Sequence, residues 1–297
     1  MRRVSWTDIP GWETEDHAAA WAAFSVSAHL IGLSDIARVH PTPREAFELL
    51  FDPYEVVPAG KAFYTGYYEP EIAGSPVRTE RFRAALYAVP PGLKPPAKWF
   101  TRAEIAARHL LDGHEIAWVE TPLDAFFAQV QGSVRLKMTD GSSLRLGFAA
   151  KNGHPYRSIG AELIRRGVAK DGMSPERIRD WAGAHPDELQ GLLNHNPSFV
   201  FFRALDLPAL SGPVGAAGLP VMAGRTLAVD PAVVSFGSPV WVDCAAFGRR
   251  LTFALDTGTA IRGAGRGDLF FGSGPEAGAA AGAVRHNGSM IVLKRRT

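Results

Sequence analysis

Apolar positions along the chain follow first a helical period and then a strand period, and the switch divides the sequence. From Thr14 to Leu30, Trp21, Phe24 and Ala28 share one face at helical spacing, which predicts an amphipathic helix closing over a core. Thr42-Pro43-Arg44-Glu45 then offers an N-cap, a proline at the first helical position and a capping-box glutamate, with Phe47, Leu50 and Phe51 as the buried stripe. The N-terminal segment is therefore expected to be mainly helical. From Lys61 the character changes, because Phe63-Tyr64-Thr65-Gly66-Tyr67-Tyr68 is aromatic and β-prone until Pro70 and Gly74-Ser75-Pro76 end it.

A Pro-rich connector from Val89 to Pro96 precedes a second capping box, Thr101-Arg102-Ala103-Glu104, and a domain crossing is placed near residue 80. Ser133 to Met138 and Ser143 to Phe148 alternate strictly around Asp140-Gly141, which predicts a β-hairpin. Ser158 to Gly167 reads as a short helix with a serine cap and a terminal glycine, and Ser174-Pro175 opens another. After Pro197, strands are expected at Leu227 to Val229, Pro239 to Val242, Leu251 to Leu255 and Ser289 to Leu293. No helical pattern separates them, so a closed barrel is favoured over a parallel sheet. Gly272 to Ala283 is a Gly/Ala-rich tract, and no internal repeat occurs. The fold class expected is mainly β with peripheral helices, an α+β protein.

Composition narrows the function classes. The 297 residues, 46% of them hydrophobic, can bury a sizeable core and leave room for two compact domains. The longest weakly polar stretch, Pro197 to Gly224, is interrupted by Arg203 and Asp206 and crowded with Pro and Gly, so no transmembrane segment is expected. Met1-Arg2-Arg3-Val4-Ser5-Trp6 has no apolar core behind its basic residues and does not read as a signal peptide; if the natural protein is exported, this chain is its mature part. The lone Cys244 excludes an internal disulfide and reads as a small core residue. A net charge of +2 without a basic run argues against nucleic acid as a partner.

The densest chemistry lies between Leu251 and Gly272, where an apolar strand delivers Asp256 to its end, a glycine-rich loop turns, and Asp268 enters a second apolar segment. Glycines let a backbone approach a ligand closely, so this loop is a candidate saccharide cradle with acids at its rim. The plainer alternative is that Asp256 caps a turn through Thr257-Gly258 and that Asp268 pairs with Arg262 or Arg266. Gly272-Ser273-Gly274 does not continue into a dinucleotide fingerprint, and no Gly-Lys-Ser/Thr follows it. His154, His195 and His286 stand alone, so no catalytic metal or cofactor is expected. Asp256-Thr257-Gly258 behind an apolar strand is also the local signature of aspartic proteases; without a second copy in the chain, that reading needs a homodimer.

At this loop the sequence resembles the membrane-bound lytic murein transglycosylase A family, with its C-terminal three-aspartate domain. Further matching blocks are Tyr64 to Pro70, Gln131-Gly132-Ser133, Ala150 to Tyr156, Asn196 to Phe202, Gly212-Pro213-Val214-Gly215 and Leu227-Ala228-Val229-Asp230. The resemblance implies a double-psi β-barrel built from residues 1–80 and 201–297, with a smaller β-rich domain, residues 81–200, inserted as the other wall of a glycan cleft. It places the three aspartates at Asp230, Asp256 and Asp268, the last as the catalytic acid and base. It also implies that Thr65, Tyr67, Tyr68, Gln131, Lys151, Asn152, Gly258 and Ala260 line the glycan, while Asp256 orients the loop or favours positive charge in the transition state. The chain departs from the family pattern at Val134 and Thr259, where glycine is usual, and lacks the lipid-anchoring cysteine expected at the mature N-terminus.

The activity so implied is non-hydrolytic cleavage of peptidoglycan glycan strands by a monomeric periplasmic enzyme, with association to the outer membrane left open. A hydrolytic muramidase using Glu69 and Asp268 is the nearest enzymatic rival. A glycan-binding module without catalysis and a homodimeric aspartic protease complete the alternatives.

Overall fold

The computed structural model describes residues 1–33, 42–56, 61–207 and 212–296. The chain divides into two compact units, Met1–Tyr68 with Pro208–Thr297 and Glu69–Leu207. In the N-terminal part of the first, β1 (Arg2–Arg3) is followed by α1 (His17–Ser25), α2 (Pro43–Leu50), β2 (Phe51–Glu55) and β3 (Ala62–Glu69). Helix α1 is shorter than the span expected from Thr14 to Leu30. Asp16 caps it through the Ala19 N–H, and it stops where Ser25 and Ser27 donate their hydroxyls to the Trp21 and Phe24 carbonyls. A 3₁₀ turn at Ala28–Ile31 follows. Thr42 caps α2 by accepting the Glu45 N–H, with Pro43 at its first turn, while Phe51 lies not on the helix but on β2, drawn there by pairing with the last strand.

The second unit runs through β4 (Glu71–Ser75), β5 (Ala84–Tyr87), α3 (Arg102–Ala107), β6 (Glu115–Val119), α4 (Pro122–Gln131), β7 (Ser133–Met138) and β8 (Ser143–Lys151). It then continues through α5 (Ile159–Arg165), α6 (Pro175–Ala184), α7 (Pro186–Asn194) and β9 (Val200–Ala204). Its strands make one six-stranded sheet in the order β5-β6-β4-β7-β8-β9. The β7–β8 hairpin pairs Arg135 with Arg145, and its turn is fixed by Asp140 accepting the Ser142 N–H and by Gly141 at φ 84°. The capping box at Thr101 and Glu104 is formed in both directions. Leu86, Val134, Leu136, Leu146 and Phe202 pack with Ala125 and Ala128 of α4. The unit starts at Glu69, before the crossing expected near residue 80, because β4 already pairs in parallel with β7, Ile72 opposite Leu136. It extends past residue 200 because β9 pairs with β8, Phe202 opposite Phe148.

The chain returns to the first unit with β10 (Thr226–Ala228), β11 (Pro239–Cys244), β12 (Gly248–Asp256), β13 (Arg266–Ser273), α8 (Pro275–Gly282) and β14 (Arg285–Arg295). Strands β14-β11-β12-β10-β13-β3 form a ring of six, closed where β3 pairs with β14, Thr65 opposite Arg285 and Ala62 opposite Gly288. This is a closed barrel, as expected, although β10 and β12 run parallel. Alternation along the strands separates two cores. Val240, Val242, Ala254, Leu269 and Val292 gather in one, while Trp241, Phe253 and Leu293 face the other with Trp12, Phe24 and Phe47.

The Gly/Ala-rich tract, which carried no periodic signal, forms α8. It lies so close to β3 that a Cβ at Gly66 would come within 2.7 Å of the Ala281 Cα, and one at Gly278 within 2.8 Å of the Tyr68 ring. Cys244 is buried in the core. Among the described residues no helix is long and apolar enough to cross a membrane. Residues 208–211, inside the Pro197 to Gly224 stretch, lie outside the described residues.

Candidate active site

Asp268 and Arg266 sit two residues apart on β13, so the pleat directs both side chains to the same face, toward the neighbouring β3. There the Thr65 hydroxyl donates to Asp268 Oδ1, and Arg266 Nη2 donates to Thr65 Oγ1 at 2.7 Å. Asp268 is half-buried. Desolvation pushes its carboxyl up to about 6; the Thr65 hydrogen bond and the Arg266 charge oppose that rise, and the nearby Asp256 charge adds to it.

Asp256 ends β12. Its Oδ1 accepts the Ala216 and Thr257 N–H groups, both at 2.9 Å. Desolvation raises its pKa, and these two bonds, with the Tyr67 hydroxyl, hold the rise back. The strap that supplies Ala216 lies against the end of β12: Ala217 N–H donates to the Leu255 carbonyl, and a Cβ at Gly215 would come within 2.6 Å of that oxygen. The Tyr67 hydroxyl is buried beside Asp256 without a well-aligned hydrogen bond, and its ring packs on Phe270 at 5.1 Å. Burial pushes the phenol well above its ordinary range.

Asp230 has another task. Its carboxylate accepts the Ala232 N–H at 3.1 Å and the Gly263 N–H at 2.7 Å, with Arg262 at 3.7 Å. These bonds hold its pKa below the usual carboxylate range and pin the glycine-rich loop between β12 and β13. Within that loop Gly258 begins a turn closed by the Ile261 N–H, whose buried side chain anchors it, and Ala260 is exposed at the tip.

The residues expected to line glycan thus fall into two groups. Thr65, Tyr67, Tyr68, Gly258 and Ala260 belong to the barrel unit with both acids, whereas Gln131, Lys151 and Asn152 belong to the second unit. Thr65 is engaged with Asp268, and the Tyr68 ring is packed over Gly278. Gln131 ends α4 and Lys151 ends β8, both partly buried. Asn152 is fully buried: its amide donates to the Phe100 and Pro197 carbonyls and accepts the Phe199 N–H, all at 2.8 Å, so it ties three segments together. Glu69 is also fully buried, forked by Arg145 at 2.9 and 3.0 Å with Arg135 at 3.5 Å. Among the described residues no group of three His, Cys, Asp or Glu could hold a metal ion.

Residues 63–203 match the MltA specific insert domain and residues 225–294 the 3D domain. A membrane-bound lytic murein transglycosylase from Agrobacterium tumefaciens superimposes with a TM-score of 0.87 at 33% identity, covering 99% of this chain and 97% of that one. The chain belongs to the membrane-bound lytic murein transglycosylase A family. Membrane-bound lytic murein transglycosylase A of Escherichia coli strain K12 is 38% identical over 251 residues, 79% of this chain; the match spans 66% of that relative's length, just under two thirds. The structure of E. coli MltA with bound chitohexaose has a TM-score of 0.80 at 30% identity, covering 100% of this chain and 94% of that one.

Within this member of the family, two contributors were missed from the sequence. Ala216 acts through its backbone N–H, which no side-chain pattern reveals. Arg266 reads from the sequence only as an ion-pair partner of Asp268, yet it bonds to Thr65.

Proposed function

We propose that the protein is a lytic transglycosylase that cleaves the β-1,4 bond between N-acetylmuramic acid and N-acetylglucosamine in peptidoglycan, with Asp268 as acid and then base. The observation that carries this reading is the raised pKa of the half-open Asp268 carboxyl, about 6, which keeps a proton available near neutral pH while leaving the group accessible. Asp268 protonates the glycosidic oxygen as the C1–O bond breaks and its electron pair passes to that oxygen. The resulting carboxylate takes the proton of the muramyl C6 hydroxyl, whose oxygen bonds to C1 to close a 1,6-anhydro ring. The acid is regenerated and no water is consumed.

Asp256, fixed by two backbone donors, supplies negative charge that favours the oxocarbenium-like transition state. A β-1,4 glycan substrate accords with the chitohexaose bound to the E. coli relative. The same reading takes the barrel to be of the double-psi type, Gln131 and Lys151 of the second unit to contact glycan, and the enzyme to work as a monomer in the periplasm, alongside the membrane-bound relatives.

Two rivals fare worse. A muramidase acid must carry a proton, and the two guanidinium groups around Glu69 favour its ionised form. An aspartic protease needs two Asp-Thr/Ser-Gly loops sharing one proton, and the chain carries one, at Asp256. Mass spectrometry of muropeptides released from purified sacculi tests the proposal: 1,6-anhydro ends are expected, and reducing N-acetylmuramic acid ends would favour hydrolysis instead.

A further inference from the structure

Asp268 has two oxygens, and the side chains around it make them unequal. An arginine side chain only donates hydrogen bonds, so Thr65 Oγ1 must accept from Arg266 Nη2. The single Thr65 hydroxyl proton is then committed to Asp268 Oδ1, which is an acceptor in either protonation state. Arg266 is itself anchored, with Nη1 on the Gly267 carbonyl and the guanidinium 5.3 Å from the Phe63 ring. Resting on the function proposed above, we propose that Arg266 is a positioning residue that orients the Thr65 hydroxyl toward Oδ1, leaving Oδ2 of Asp268 as the atom that gives up and recovers the proton. The other ionisable groups facing this relay are Asp256 on β12, Tyr67 on β3 and Arg285 on β14.

Both members of the relay favour the ionised carboxyl, so weakening it makes Asp268 hold its proton to higher pH. Arg266→Met is expected to raise the Asp268 titration midpoint, read by carboxyl-carbon NMR of the ligand-free protein with Asp268→Asn for assignment, by about one pH unit. The alkaline limb of the kcat profile should move up with it, and kcat should fall on the order of tenfold with KM nearly unchanged. Thr65→Val, which keeps the Arg266 charge, should raise the midpoint by less, Thr65→Ser should restore it, and adding Thr65→Val to Arg266→Met should move it no further than Arg266→Met alone. An unmoved midpoint in Arg266→Met, or additive displacements in the double variant, overturns the relay. Should Arg266→Met fail to fold, Thr65→Val and Thr65→Ser decide it by the same readout, equal midpoints counting against it. Because the NMR titration needs no turnover, it stands even if wild-type protein releases no anhydro ends, a result that would refute the proposed activity alone.

Discussion

Glu69 and Asp268, one in each unit, are carboxyls removed from water to different ends. Glu69 meets two guanidinium groups at close range, which neutralise it and turn it into a strut between β3, β7 and β8. Asp268 meets one hydroxyl, with the nearest cation held behind it. Burial costs both their charged forms, and the partners decide how far that cost is offset. The contrast teaches that a carboxyl drawn from water keeps a raised pKa when its counter-charge is set back from it.

The sharpest way to break the comparison is Asp268→Asn. An amide keeps shape and polarity but cannot donate and then accept the same proton, so release of anhydro-muropeptides should fall by at least about 10² to 10⁴, with melting temperature and glycan binding retained. Glu69→Gln should do the reverse, leaving turnover of the folded enzyme near normal while costing about 3 kcal/mol in denaturant unfolding, because two guanidinium groups lose their buried partner. Near-normal release from Asp268→Asn with loss in Glu69→Gln would exchange the two roles.

A third test uses pH. Folded Asp268 binds its proton more tightly than the unfolded chain does, so its contribution to stability is complete below the ordinary carboxylate range and is lost as pH rises through about 6. With solvent screening at a half-open site, the loss should be about 1–2 kcal/mol, and Asp268→Asn should lack that slope when unfolding is followed from pH 3 to 7. The smallest effect concerns Asn152, expected from the sequence to line glycan. Asn152→Ala should cost about 1–2 kcal/mol of stability through its lost backbone bonds and leave affinity for glycan little changed. A large loss of affinity without loss of stability would return it to the glycan.

What could be read from the sequence was local. The β7–β8 hairpin, the capping box at Thr101 and the caps at Thr42, Ser158 and Ser174 each depend on residues a few positions apart, and each was legible. Helix α8 was not, because Pro275 to Gly282 has no apolar stripe and is held by glycines that admit it against β3, more than two hundred residues away in sequence. The same division runs through the site. Asp256 and Asp268 stood out beside their glycine-rich loop, but Thr65 as the hydrogen-bond partner of Asp268 depends on β3 lying next to β13. Asn152, placed on the glycan by the resemblance, spends its side-chain bonds on backbone groups that sequence does not mark.

The position of β14 has a consequence for how the molecule can assemble. Its residues 285–288 pair with β3, residues 291–295 with β2, and residues 288–292 with β11 on the other side. No nascent chain can complete the ring until this strand has left the ribosome. The second unit is different, since its six strands come from one continuous stretch and can assemble while the rest is still being translated. The early strands β2 and β3 must meanwhile wait with open edges, so the barrel unit is the half most exposed to mispairing at birth.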